Sequence, residues 1–254
     1  MGGNVVSNVL SSKAAGPSDR FVQEKRGKDE TNLAWFQRNL KTLETEDDAE
    51  GAAYLVMVGG KEKTHFRLRV AQSHIRHDRS PSHFSHVALL RASGWARGGS
   101  LWEIALEPKG GFGFPPADNG VQTGALNNYA SQNQFPNLAV MRLPVKLADM
   151  QRTLKTFKQQ RTDLDCVELT VLWLAYVWSV RRAENPLLDG YGTPSAAFIE
   201  ALAAANGFDL TPGLESRASC PEAIWQAAKW WHQFYKLANT APIRGMWHLE
   251  HYLG

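Results

Sequence analysis

The spacing of apolar residues divides the chain into a strand-rich part followed by a helical part. Residues 31–49 carry Leu33, Phe36, Leu40 and Leu43 at helical spacing, which predicts a first helix. Short apolar or alternating segments bounded by turn residues then predict strands. They are AAYLVMV, HFRLRV, FSHVALLRA, SLWEIALE and NLAVMRLPV. Together they predict a small, mostly antiparallel sheet.

From about residue 146 the pattern becomes helical. Helices are expected in KLADMQRTLKTFKQQ, after Asp165, in TPSAAFIEALAAANG and in SCPEAIWQAAKWWHQFYKLA. Gly207 fits the end of the third of these helices and Pro221 fits the first position of the fourth. The expected fold class is therefore α+β, a small antiparallel sheet packed with helices.

Polar segments complete the expected domain organisation. Residues 1–30 are rich in Gly, Ser and charge and are predicted to form a flexible arm, which leaves residues 31–254 as one domain. Residues 108–137 are rich in Gly, Pro, Asn and Gln. A connection of that length is usually functional or mobile.

Composition narrows the functional classes. The chain has 254 residues, 43% of them apolar, and a net charge of +3; it can bury a core without a disulfide or metal. No Lys/Arg run is dense enough to indicate nucleic-acid binding. Residues 1–20 lack the pattern of a Sec signal. The apolar run Val167–Val180 is too short to cross a membrane, so no stable membrane insertion is expected.

Cys166 is the first candidate for chemistry. Asp165 fits the N-cap position of a helix, and Glu168 three residues later completes a capping-box pattern. Free backbone N–H groups and the helix dipole at that position favour a thiolate, the nucleophilic form of cysteine. The charge of Asp165 opposes this by raising the thiol pKa. The alternative is that Cys166 is a small core residue, and Cys220 is interpreted as structural.

A nucleophilic cysteine needs a base, and the base needs a residue that orients it. Four histidines lie in SHIRHDRSPSHFSHVALL, and His86 begins the predicted strand. In the next strand Glu103 and Glu107 share a face, and either could hold the imidazole. The alternative is that both carboxylates belong to a solvated strand face.

The order SHFSHVALLRASG, WEIALEPKGGFGF, LAVMRLPV and DCVELTVLWLAYVW resembles the circularly permuted NlpC-type papain-like cysteine amidases, which are related to lecithin:retinol acyltransferase-like enzymes. The resemblance covers about residues 82–180. It implies a papain-like fold with Cys166 as nucleophile and His86 as general base. It also implies an acidic third residue, Glu107 in preference to Glu103, and an oxyanion donor at the Cys166 backbone N–H. No cofactor is implied.

The family's usual substrate is an amide in a peptidoglycan stem peptide. Without a Sec signal, such an enzyme would reach the wall by another route. This favours an antibacterial toxin that is made in the cytoplasm, delivered to a target periplasm by a type VI-type system and paired with an immunity protein. Two alternatives stay open: a lipid-directed acyltransferase or thioesterase that uses the same Cys–His pair, and a non-catalytic interaction module.

Two further clusters have structural and functional interpretations. The pairs HIRH and HFSH, with Asp78, could ligate zinc, but no spacing typical of a zinc enzyme supports a metal site. The helix with Trp225, Trp230 and Trp231 could form a carbohydrate or partner platform. Helical spacing with Ile224 and other apolar residues favours a core position instead.

Overall fold

The fold is described from a computed structural model, which defines residues 21–44, 51–92, 96–106, 119–159, 165–237 and 243–250. Six α-helices and seven strands lie within these ranges, besides short 3-10 helices. They are β1 (Phe21–Gln23), α1 (Asn32–Glu44), β2 (Ala52–Gly59), α2 (Lys63–Ala71), β3 (His86–Leu90), β4 (Ser100–Glu103), β5 (Gln122–Ala125), β6 (Asn137–Lys146), α3 (Leu147–Gln159), α4 (Cys166–Val177), α5 (Pro194–Ala205), α6 (Pro221–Leu237) and β7 (Arg244–His248).

The seven strands form one open sheet in the order β1-β7-β6-β2-β3-β4-β5. All neighbours pair antiparallel except β1, which runs parallel to β7. In the part of the chain that the structure describes, the protein is therefore an α+β protein with a mostly antiparallel sheet, as the order of patterns predicts.

Apolar side chains cover both faces of the sheet. The larger core lies between one face and helices α3 to α6, and the smaller core lies between the other face and α1. Alternation along β3 separates the two cores. Val87 and Leu89 belong to the larger core, whereas Ala88 and Leu90 belong to the smaller core. The face on which a strand residue lies therefore decides which core it joins.

Most predicted elements are confirmed, but the segment HFRLRV is not a strand. It lies in helix α2, although Phe66, Leu68 and Val70 alternate with polar residues. The guanidinium of Arg69 is buried and donates to the carbonyl oxygens of Ser82 (2.6 Å) and Gly60 (3.2 Å), while Phe66 and Val70 are exposed. Tertiary contacts of a charged side chain thus override the alternating pattern.

The polar segments also contain structure. The predicted arm, residues 1–30, is described from residue 21 onward, and there it contributes β1 at the edge of the sheet. The connection 108–137 contributes β5 in its described part, 119–137. No helix within the described ranges has both the length and the apolar character needed to span a membrane.

Candidate functional site

A cavity of about 470 Å³ lies over the ends of β3, β4 and β5. Its wall contains His86 from the start of β3, Glu103 from the end of β4 and Gly124 from β5. The start of α5 borders the same cavity with Thr193 and Ser195. The cavity thus combines titratable side chains from the sheet with the beginning of a helix.

His86 and Glu103 form a buried pair in the cavity wall. His86 Nε2 lies 2.9 Å from Glu103 Oε2, and the side chains are 7% and 4% exposed. A neutral imidazole that donates from Nε2 to the carboxylate keeps a lone pair on Nδ1. No residue in the described ranges forms a hydrogen bond with Nδ1. This is the arrangement of a general base, in which a carboxylate fixes the ring and the second nitrogen is left for substrate.

Tyr129 extends this pair to a chain of hydrogen bonds. Its hydroxyl donates to the same oxygen, Glu103 Oε2, over 2.6 Å, and its ring lies 5.7 Å from that of His86. Burial, and then the charge of Glu103, raise the pKa of Tyr129 well above its ordinary value. The phenol therefore stays protonated and stabilises the carboxylate as a donor.

Gly124 provides the space that Glu103 needs. A Cβ atom at residue 124 would lie 1.7 Å from Glu103 Oε1. Gly124 pairs with Leu101 in the neighbouring strand, and Leu101 and Glu103 point to the same face. Glycine inside a strand often marks such a close approach, so this residue was a sequence signal for the position of the carboxylate.

Cys166 lies at the first position of α4, as the capping pattern predicts. Asp165 Oδ1 accepts from the backbone N–H groups of Val167 (3.0 Å) and Glu168 (3.2 Å). The thiol, however, is fully buried and belongs to the larger core. Burial, together with the negative charge of Asp165, raises the thiol pKa well above its ordinary value. At neutral pH the thiolate is therefore strongly disfavoured.

The backbone at Cys166 is also engaged. Its N–H, which the family resemblance implies as an oxyanion donor, donates to Asn119 Oδ1 at 3.1 Å. An amide group that is satisfied within the protein must lose that bond before it can bind a substrate oxygen. The first N–H groups of α4 are thus already bonded within the protein.

Cys166 and His86 lie in different surroundings. Cys166 packs in the larger core with Val87 and Leu89, whereas His86 lies opposite Val58, a residue of the smaller core. No hydrogen bond joins Cys166 to His86 among the described residues. The expected Cys166–His86 pair is therefore not hydrogen-bonded in this structure, whereas His86 does contact Glu103, the second choice for the third residue. Glu107, the preferred third residue, lies outside the described residues.

A second histidine, which the sequence patterns did not indicate, borders the cavity. His65 projects from α2, and its Nδ1 lies 2.8 Å from Ser85 Oγ, next to His86 in sequence. Its ring packs edge-on against Phe135 at 5.1 Å. His65 belongs to the segment HFRLRV, for which the alternating pattern predicted a strand and the structure shows helix α2.

The other histidine clusters have different surroundings. Asp78 binds the guanidinium of Arg76 at 2.9 Å, and no group of three or more His, Cys, Asp or Glu suited to a metal occurs within the described ranges. In α6, Trp225 is buried, whereas Trp230 is 49% exposed and stacks on Phe234.

Comparison of the chain with models of protein families, with curated proteins and with solved structures finds no match.

Proposed function

We propose that this protein is a hydrolase in which His86 activates a water molecule against a carbonyl group held in the cavity. The observation that carries the proposal is the buried chain Tyr129–Glu103–His86, which fixes the imidazole at the cavity wall. Perturbed, hydrogen-bonded titratable groups in a cleft are typical of catalytic sites.

The reaction needs one base and one water molecule. His86 Nδ1 removes a proton while the water oxygen forms a bond to the carbonyl carbon. The tetrahedral intermediate then collapses, the bond to the leaving group breaks, and the proton on His86 passes to that group. Glu103 stabilises the imidazolium in between and keeps the ring in one orientation.

Water is a better candidate for the nucleophile than Cys166. The thiol is buried in the larger core, its pKa is raised, and it is not among the residues that line the cavity. The substrate class is taken from the sequence resemblance: an amide in a peptidoglycan stem peptide is the first substrate to test, and a toxin role follows only if that amide is cleaved.

The test compares wild type, His86→Gln and Cys166→Ala on purified peptidoglycan, with released fragments identified by mass spectrometry. A panel of p-nitrophenyl esters and p-nitroanilides covers carbonyl substrates outside the wall. We expect wild type and Cys166→Ala to react alike, and His86→Gln to be slower by about 10²- to 10⁴-fold.

Melting curves establish that the variants are folded. Equal activity of His86→Gln and wild type would contradict the role of the histidine. Loss of activity in folded Cys166→Ala would restore the thiol mechanism. Inactivity of wild type towards every amide and ester would contradict the assignment as a hydrolase.

A further inference from the structure

The start of α5 presents unused hydrogen-bond donors at the cavity. Thr193 is the N-cap residue, Pro194 occupies the first helical position, and Ser195 follows. The first N–H groups of a helix have no partner inside it and carry partial positive charge. In the described part of the chain, the N–H groups of Ser195 and Ala196 have no acceptor. Ser195 lines the cavity, whereas Ala196 is fully buried behind it. Ala197 N–H already donates to Thr193 O at 2.9 Å.

The hydroxyl of Thr193 gives a second, independent observation. An N-cap threonine normally accepts from the N–H of the second or third helical residue, but this side chain makes no such bond. Its Oγ1 is buried without a hydrogen-bond partner among the described residues, and the residue is 2% exposed. Thr193 N–H donates to Ser219 O at 2.9 Å, which holds the backbone in place. Buried hydroxyl groups are rarely left unpaired, so this one indicates a missing partner at the cavity.

The charges around the cavity restrict what that partner can be. Its described lining contains the carboxylates of Glu62 and Glu103 but no lysine or arginine. A phosphate or sulfate would meet these negative charges without a lysine or arginine to balance its own. A carbonyl oxygen is neutral when it binds and becomes charged only as the reaction proceeds, so it fits donors without a cation.

We propose that the N terminus of α5 binds the carbonyl oxygen of the substrate and stabilises the oxyanion formed from it. This inference rests on the proposed function, since it supplies the second half of the His86 reaction. As the water oxygen bonds to carbon, the π electrons of the carbonyl move onto oxygen, which accepts from Ser195 N–H and the Thr193 hydroxyl. When the leaving group departs, the carbonyl re-forms and the electron pair returns.

Kinetics of Thr193 variants test the catalytic part of the proposal. Thr193→Val keeps the shape of the side chain and removes the hydroxyl, whereas Thr193→Ser keeps the hydroxyl. We expect Thr193→Val to lower kcat by about 10- to 100-fold with KM within about twofold, because the donor acts mainly on the transition state. Thr193→Ser should retain most of kcat. Equal kcat in folded Thr193→Val and wild type would overturn the proposal.

A binding measurement separates failure of this inference from failure of the proposed function. Backbone amide NMR follows Ser195 and Ala196 while trifluoroacetone, which hydrates to a tetrahedral mimic, is titrated into wild type. We expect saturable shifts of both amides, weakened at least about tenfold in Thr193→Val. Sulfate, titrated in parallel, should leave them unmoved. Saturation by sulfate instead, or no shift of these two amides with either probe, would overturn the carbonyl site whether or not the protein hydrolyses any substrate tested.

Discussion

Replacing Glu103 with glutamine should impair the action of His86 as a general base while leaving the fold largely intact. Glu103 Oε2 accepts two hydrogen bonds, from His86 at 2.9 Å and from Tyr129 at 2.6 Å. Each bond to a buried charge contributes about 1.5–3 kcal/mol, and loss of the charge roughly halves each. The neutral amide also avoids part of the desolvation penalty of the carboxylate. The net loss of unfolding free energy should therefore be about 1–2 kcal/mol.

The effect on catalysis should be larger than the effect on stability. The amide oxygen of the glutamine can replace Glu103 Oε2 and accept from both His86 and Tyr129, so the His86 tautomer is retained. What is lost is the negative charge that stabilises the imidazolium formed during the reaction, and we therefore expect kcat to fall by about 10²- to 10³-fold, measured on whichever substrate wild type cleaves. NMR of the ring nitrogens would report the tautomer of His86 directly.

Glu200→Gln provides the matched control. Glu200, on α5, is a second glutamate with 3% exposure, the same as Glu103, and it accepts from Ser219 Oγ at 3.2 Å rather than from a histidine. The same chemical change there should leave kcat within about twofold. If Glu103→Gln and Glu200→Gln show the same kcat as wild type, the buried carboxylate does not prepare His86 for catalysis.

Four further outcomes follow from the geometry. Gly124→Ala should lower kcat without removing any polar atom, because its Cβ would lie 1.7 Å from Glu103 Oε1; unchanged kcat would show that the carboxylate position is unimportant. Cys166 should react with maleimide only after denaturation, because the thiol is buried and its pKa is raised; labelling in the native state would contradict the packed helix end. Thr193→Val should raise the unfolding free energy by about 1–3 kcal/mol, measured by urea denaturation, because it removes a buried unpaired hydroxyl and no cap bond is lost; a loss of about 1–2 kcal/mol would reveal a capping role. Burial raises the pKa of Glu200 to about 7 from 4.5. The folded state therefore favours the protonated carboxyl, whose contribution to stability is complete below pH 4.5 and is lost as the pH rises through about 7. From about pH 5 to about pH 8.5, wild type should therefore lose about 2–3 kcal/mol more stability than Glu200→Gln in urea denaturation; parallel profiles would contradict the raised pKa.

Local patterns determine much of the fold but only part of the candidate site. Helices α1, α3, α4, α5 and α6 follow from apolar spacing and end signals, and β2, β3 and β6 follow from short apolar runs. Alternation along β4 also places Glu103 on a defined face, and the structure brings it to His86. These features depend on residues near one another in sequence, which is why the chain alone reveals them.

What the sequence could not show depends on contacts between distant elements. The packing of the start of α4 decides whether the Cys166 thiol reaches the cavity that holds His86, and no local pattern determines that packing. Tyr129 reaches Glu103 from a segment that reads as a polar loop. The donors at α5 became visible only through the missing bonds of Thr193, because a Thr-Pro helix start is common in sequence.

The position of β7 has a consequence for how the protein folds. The strand lies inside the sheet, between β1 and β6, and Phe21 pairs with Gly245 at the other end of the described chain. Contacts so far apart in sequence give a high contact order and slow the closure of the sheet. During synthesis, the edge of β6 that pairs with β7 stays unpaired until β7 has left the ribosome. A nascent chain arrested before β7 should therefore aggregate or bind chaperones more readily than the full chain.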